Sequence, residues 1–432
     1  MTESKTIFED VPCTFCGCLC DDIILEVENG NITSMKNGCT ISKSRFLNHH
    51  DNRQEYPTIN QKEVSLEEAI EKAIEIIAKA KRTLVYGLSS TENDAHREAY
   101  KIAEIAGGVV DNTSSVCHGP TILGTQDSGE AAASLAEVRH RSDLVIYWGS
   151  NPTQAHPRHV DRYVRVAGEY VKDPKTERKL WIFDVRESES RRVADRFIQL
   201  EPGTDLEVIS SLRALIRGHR IATKEVGGVS AEDLVEMAET MKNVKYGVLF
   251  FGLGLTQSKG RHRNIDAAIR LVQDLNSYTK WNMMPMRGHY NVSGANKTST
   301  WQTGYPYAVD YGRGYPRYQP GEYTAVDLLA RGEVDAMLNI AADPGAHFPR
   351  AALKTMTNIP IINIDPKKNM TSLLATVNIP CAVAGIECDG CADRMDGLPL
   401  YLKKVVDPPQ GIIPDREILR RIYEGLRKEA GE

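Results

Sequence analysis

Six short, continuously apolar runs recur along the chain with helical periods between them, and this alternation restricts the fold more than any other feature. The runs are TLVYGL (83–88), LVIYWG (144–149), LWIFDV (180–185), YGVLFFG (246–252), AMLNIA (336–341) and PIINID (360–365). A strand that is apolar on both faces must be covered on both faces, and parallel sheets with crossover helices achieve this. Helical periods at about 93–106, 205–217, 231–242, 261–275 and 324–331 supply the crossovers. A further helix opens at Ser65 and Glu68, a capping-box pair, with Leu66, Ala69, Ile70, Ala73 and Ile77 on one face. Six such strands suffice for two doubly wound units, and the 432-residue length predicts two or three compact units.

Before residue 56 the texture differs. Ile23–Val27 and Ile32–Met35 flank Asn29-Gly30, which predicts a hairpin. The segment 281–321 has little periodicity and reads as a long loop, of the kind that usually serves function. Several apolar runs end in Gly, Asn, Asp or Ser: Gly149-Ser150-Asn151-Pro152, Asp184, Gly252-Leu253-Gly254 and Asp365-Pro366. Ligands of open α/β sheets bind at those carboxyl ends, which suggests a nucleotide-like ligand.

Composition removes other classes. Hydrophobic residues are 41% and charged residues 26%, which argues against disorder and coiled coil. With 53 Lys and Arg against 58 Asp and Glu, the net charge of −5 gives no reason to expect nucleic acid. No apolar run approaches membrane length and no signal peptide is visible, so a cytoplasmic protein without a membrane partner is expected.

The nine cysteines are an odd number and unevenly placed, which points to metal or redox use over disulfides. Cys13, Cys16, Cys20 and Cys39 make a C-x2-C-x3-C-x18-C pattern. Three thiolates on a tight loop and one distant thiolate suit a [4Fe-4S] cluster. Zinc is the rival, but structural zinc usually takes two short-spaced pairs, and Cys39 stands alone. Cys18 is left outside the set, although it could replace Cys20. Cys117 is isolated, beside His118 and ahead of Gly119-Pro120, which could start a helix. A thiolate there could be a nucleophile or a soft metal ligand. Arg287 offers a fork of donors suited to a carboxylate, or a structural ion-pair partner.

Taken together, CTFCGCLC, Cys117, WGSNPTQAHPRH, LEPGTDLEV, GLGLTQ, RGHYNVSGAN and TSLLATVNIP resemble, in order and spacing, the molybdenum- or tungsten-bis(pyranopterin guanine dinucleotide) oxidoreductases. Within that family, the CGCLCDD start, SSVCHGP and AGIECDGCADRMDGLPL are most similar to the B subunits of formylmethanofuran dehydrogenases. The resemblance implies a molybdopterin oxidoreductase fold: a small N-terminal Fe-S domain plus two doubly wound Rossmann-like domains, without the C-terminal barrel domain of larger relatives. The expected division is 1–55 for the [4Fe-4S] domain, 56–112 with 298–380 for the first α/β domain, 113–297 for the second, and 381–432 for a segment packing on the core.

It also implies roles and cofactors. Cys13, Cys16, Cys20 and Cys39 would hold the [4Fe-4S] cluster, and Cys117 the tungsten or molybdenum beside two molybdopterin guanine dinucleotides. His118 would transfer a proton or position a group, and Arg287 would orient carbon dioxide or formate. Gly149, Ser150, Asn151, Pro152, Asp184, Asp205, Gly252, Leu253, Gly254 and Asp343 would contact the dinucleotide cofactors. The bridging lysine that many relatives carry soon after the fourth cluster cysteine is delayed here to Lys43, and Cys381, Cys388 and Cys391 read as structural. Implied partners are a barrel-domain subunit, an amidohydrolase subunit and ferredoxin-like subunits. The rival readings are a formate dehydrogenase or other pterin oxidoreductase, and a non-catalytic Fe-S electron-transfer scaffold. A scaffold would have lost the metal ligand and nucleotide loops, and both are present.

Overall fold

The structure, a computed structural model, describes residues 5–431. Contacts divide it into two units, one built from the chain up to Val116, His289–Arg394 and the stretch from Pro399, the other from Cys117–Gly288 with Met395–Leu398.

The first unit opens with an antiparallel sheet of Lys5–Val11, Ile23–Glu28 and Asn31–Lys36. Ile23, Leu25 and Val27 point inward, as strict alternation requires. The turn is the Asn29-Gly30 pair, with φ of 50° and 78°, the left-handed region that this dipeptide tolerates.

Its main sheet carries five parallel strands in the order Val109–Asn112, Thr83–Gly87, Ala336–Ile340, Ile361–Ile364, Val377–Ile379, with short antiparallel strands at both edges. In chain order this is 2-1-3-4-5, a doubly wound arrangement. Successive residues of Thr83–Gly87 serve opposite layers. Val85 joins a core with helices Leu66–Lys79, Asn93–Ile105 and Asp415–Glu429, while Leu84 and Tyr86 join one with Ala325–Arg331 and Arg350–Met356. The capping box at Ser65 and Glu68 forms as expected.

The second unit has one parallel sheet ordered Arg196–Gln199, Lys179–Asp184, Leu144–Trp148, Tyr246–Phe251, Lys280–Pro285. In chain order this is 3-2-1-4-5. Its direction reverses between Leu144–Trp148 and Tyr246–Phe251, which opens a crevice at their carboxyl ends. Trp148 and Phe183 stack at 4.2 Å just below that end.

One expectation is corrected. The segment 281–321 is not a continuous loop. It completes the strand Lys280–Pro285 and forms the helix Val292–Thr303. That helix buries Ser293, Gly294, Asn296, Thr298, Ser299 and Thr303 and, of apolar residues, only Val292 and Ala295, so its inward face is mostly small and polar and carries little apolar period. Among the described residues no helix is long and apolar enough to cross a membrane.

Candidate functional site

The cysteine loop lies between the strands Lys5–Val11 and Ile23–Glu28. Its winding is fixed by Cys13 N–H donating to Cys20 O at 2.8 Å and Leu19 N–H to Cys16 O at 3.0 Å. Leu19 takes a φ of 37° and is fully buried, which turns the cysteines on either side of it. Cys13, Cys16, Cys18 and Cys20 are buried, and Cys39 is half-buried. Cys39 caps the helix Thr40–Leu47, its Sγ accepting from Ser42 N–H at 3.4 Å.

Burial pushes the Cys13 thiol well up, and the charges of Cys20, Cys16 and Cys39 push it further. Those three are the partners the spacing assigns to it. Cys18 instead serves Cys16, whose thiol its hydrogen bond pulls down. A loop so rich in buried thiols that repel one another when ionised suits a cluster that supplies positive iron. Among the described residues no three His, Cys, Asp or Glu side chains are grouped as ligands of one ion.

In the second unit, Cys117 stands two residues before the helix Gly119–Ser128, with His118 at its N-cap and Pro120 in its first turn. Its carbonyl is held by Thr256 Oγ1 and Gln257 Nε2, both at 3.0 Å, so the GLGLTQ segment fixes the backbone under the thiol. Burial raises that thiol to about 11, while the charge of Arg287 pulls it down. Arg287 in turn feels Glu130 and Cys117, the two groups that offset its own loss of hydration. Glu130 accepts from Thr125 Oγ1 at 3.1 Å. Thiol, guanidinium and carboxyl, each half-buried, thus act on one another electrostatically.

His118 is fully buried. Its Nε2 lies 3.3 Å from Met286 O and its Nδ1 3.0 Å from Thr121 Oγ1. A carbonyl can only accept, so Nε2 carries the hydrogen and Nδ1 accepts from Thr121. Burial lowers the imidazole to about 3, with Arg287 adding to the effect. As placed, the ring is a neutral donor to the Met286 carbonyl.

The crevice of this unit holds a cavity of about 510 Å³ lined by Gly149, Asp184, Asp205, Leu253 and Gly254, among others. Five of the expected cofactor residues therefore meet at one place. Gly149 and Gly254 interlock there. Gly149 has a φ of +55°, and a Cβ on it would meet Leu255 N at 2.6 Å and Gly254 C at 2.7 Å. Gly254 N–H donates back to Gly149 O at 2.8 Å. Only glycine permits this approach.

Asp205 opens the helix Asp205–Ile216 and accepts from Trp148 Nε1 at 2.9 Å through Oδ1. Its Oδ2 is buried and has no protein partner. Asp184 accepts from Val185 N–H at 2.8 Å, and burial raises its carboxyl.

The other expected residues have local roles. Ser150 is buried, Gly252 N–H donates to Trp148 O at 3.1 Å, and Pro152 starts the short helix Pro152–Ala155. Asn151 accepts from Ser190 Oγ and Thr153 Oγ1 and donates to Gln154 at 2.7 Å, which locks the loop after Trp148. Asp343 belongs to the first unit, where it accepts from Thr371 N–H at 2.8 Å and Thr371 Oγ1 at 2.7 Å. Sequence reasoning missed Gln257, Ser258 and Lys259 on the cavity wall, and Glu130 beside Arg287. Lys259 was discoverable, because QSKGR follows a strand-end glycine pair and puts a cation at an anion-binding position.

No family model matches the chain. It is 46% identical over 431 residues to the B subunit of the tungsten-containing formylmethanofuran dehydrogenase 2 of Methanocaldococcus jannaschii, covering 98% of this chain and 99% of that one. The protein of the same description from Methanococcus maripaludis is 43% identical over 426 residues, covering 97% and 98%. More distantly, the alpha subunit of the F420-dependent formate dehydrogenase 2 of Methanococcus maripaludis is 23% identical, covering 99% of this chain and 71% of that one.

Two solved structures share the fold. A chain of the formyltransferase/hydrolase complex from Methylorubrum extorquens superposes with a TM-score of 0.72 at 21% identity, over 87% of this chain and all of that one. Acetylene hydratase from Pelobacter acetylenicus superposes with a TM-score of 0.74 at 16% identity, over 98% and 70%.

Proposed function

The chain belongs to the B-subunit family of the formylmethanofuran dehydrogenases, and from that membership we propose that it is the subunit in which carbon dioxide and formate are interconverted. It is an oxidoreductase subunit of the molybdopterin family and part of a multi-subunit enzyme. The observation that carries the proposal is the glycine-lined cavity at the carboxyl ends of the sheet, in the unit that also brings Cys117, His118 and Arg287, with His118 bonded to the carbonyl just before Arg287.

The residues present fit the implied groups. Cys13, Cys16, Cys20 and Cys39 would hold a [4Fe-4S] cluster, and Cys117 would hold tungsten, the metal in the relatives' name. The crevice would take the guanine end of a pterin dinucleotide, where Asp205 Oδ2 lacks a donor and a guanine edge has donors to give. Lys259 on the same wall suits a phosphate. When bound, the metal–pterin centre supplies two-electron redox chemistry and the cluster supplies single electrons.

The protein's own contribution is to bind, orient and keep dry. Arg287 receives the carboxylate of formate, or the carboxylate developing on carbon dioxide, where low dielectric strengthens the contact. Glu130 balances its charge in the absence of substrate. His118 stays neutral and holds the backbone on which Arg287 stands. A proton passing through His118 would need release of its bond to Thr121 or Met286.

The finer division into a 1–55 Fe-S domain, α/β domains of 56–112 with 298–380 and of 113–297, and a 381–432 segment is part of this proposal. So are the barrel-domain, amidohydrolase and ferredoxin-like partners, with formate handed on for condensation with methanofuran. Elemental analysis and pterin extraction on the purified complex test the reading. Tungsten or molybdenum together with guanylated pterin is expected, and finding neither metal would overturn it.

A further inference from the structure

Two consecutive main-chain carbonyls, Met286 O and Arg287 O, are each held by a buried histidine from a different segment. His118 Nε2 lies 3.3 Å from Met286 O, and His156 Nε2 lies 2.7 Å from Arg287 O. The peptide planes on both sides of the Arg287 Cα are thereby fixed. Met286 N–H is held as well, donating to Phe251 O at 2.8 Å.

His156 is itself held from the sheet. It is buried, and its N–H donates to Pro152 O at 2.9 Å, which ties it to the loop after Trp148. Its ring meets that of His159 edge-on at 6.4 Å. His159 is fully buried, lies 2.6 Å from the Tyr147 hydroxyl through Nδ1, and packs edge-on against Phe250 at 4.7 Å. Tyr147 and Phe250 belong to the two strands that border the crevice. A continuous path of packed groups therefore runs from the sheet through His159 and His156 to the carbonyl of Arg287.

We propose that His156 is a positioning residue for Arg287. Its Nε2–H fixes the peptide after Arg287, as His118 fixes the one before, and together they set the direction in which the guanidinium leaves the backbone. An arginine on a free loop would sample many directions, and each would weaken a bidentate grip on a carboxylate. Imidazole suits the task because its neutral form still has one donor, and burial keeps it neutral. The proposal rests on the reading of Arg287 as the carboxylate-binding residue.

The test uses the complete complex, with metal, pterin and cluster contents measured for each variant and formate oxidation followed with an artificial dye. His156→Phe keeps the ring volume and removes the donor. It is expected to lower kcat/KM for formate by about tenfold to a hundredfold, the scale of a misplaced positioning group. His156→Gln carries an amide donor to the place of Nε2 and should return activity to within about threefold. In an Arg287→Ala background, His156→Phe should cost less than about twofold, because the residue it serves is gone. If the Phe variant does not assemble, His156→Asn, whose amide stops short of the carbonyl, replaces it.

A Gln variant as impaired as the Phe variant would overturn the proposal, and so would a full His156→Phe loss in the Arg287→Ala background. Near-normal activity of Arg287→Ala alone would instead remove the reading of Arg287 on which the proposal stands.

Discussion

Asp205→Asn separates recognition of the cofactor from stability of the fold. Asp205 holds the Trp148 indole through Oδ1 at 2.9 Å, and its other oxygen is buried without a partner. Asparagine retains the first bond, since its carbonyl can accept from Nε1–H. It places an NH2 group where Oδ2 stood. A guanine edge offers N1–H and N2–H donors to that oxygen, so donor would then face donor. Each hydrogen bond to a charged acceptor contributes about 1.5–3 kcal/mol, so losing one alone weakens guanine binding by roughly ten- to a hundredfold. The cofactor-free chain should move the other way, because a neutral amide costs less to bury than an unpaired carboxylate. The assay is twofold: guanylated pterin per chain in the purified complex, and thermal unfolding of cofactor-free protein. A pterin content equal to wild type would refute guanine recognition by Asp205. A cofactor-free protein that melts several degrees lower would refute the view that Oδ2 is an orphan acceptor.

Cys117→Ala should abolish formate oxidation while leaving the visible absorption of the cluster intact, and retained activity would remove Cys117 from the metal. Cys39→Ala should eliminate that absorption by removing the ligand at the start of Thr40–Leu47, measured after anaerobic purification. Arg287→Lys should lose about tenfold or more in kcat/KM for formate, because an ammonium lacks the fork, and near-normal rates would refute the carboxylate role. Glu92 predicts a pH effect. Burial and Asp415 raise its carboxyl to about 7 from an ordinary 4.5, so the folded chain holds a proton that the unfolded chain releases. Stability should therefore fall as pH rises from about 4.5 to about 7, by on the order of 3 kcal/mol. Glu92→Gln should flatten that slope in urea titrations.

The sequence was most legible where one local rule decides. Asn29-Gly30 forms the hairpin turn and Ser65 with Glu68 forms the cap, because turn and cap chemistry depend on a few adjacent residues. Helix Val292–Thr303 was hidden because most of what it buries is Ser, Asn, Thr and Gly, with only Val292 and Ala295 apolar, and hydropathy does not register small polar packing. Strands Val109–Asn112, Arg196–Gln199 and Val377–Ile379 were too short for a run of apolar residues to stand out. At the site, the strand-end residues Gly149, Asp184, Leu253 and Gly254 could be found from position, Asp205 came only through the family resemblance, and all five meet at one cavity. Glu130 and His156 could not be found this way. Each acts on Arg287 from more than a hundred residues away in sequence, and no spacing rule reports a contact of that kind.

The order of the main sheet of the first unit has a consequence for synthesis. Thr83–Gly87 is paired on one side with Val109–Asn112 and on the other with Ala336–Ile340. Roughly 250 residues separate the two halves of that second pairing, which at ribosomal speeds of ~5–20 residues per second is a wait of about ten seconds to a minute. The stretch Cys117–Gly288, in contrast, carries all five strands of its own sheet and can complete that sheet on emergence. During the wait, one edge of Thr83–Gly87 and its fully buried neighbours have no partner, which is the condition under which strands pair with the wrong chain. Translation rate and early chaperone contact over residues 83–336 are therefore expected to govern the yield of folded subunit more than any substitution on its surface.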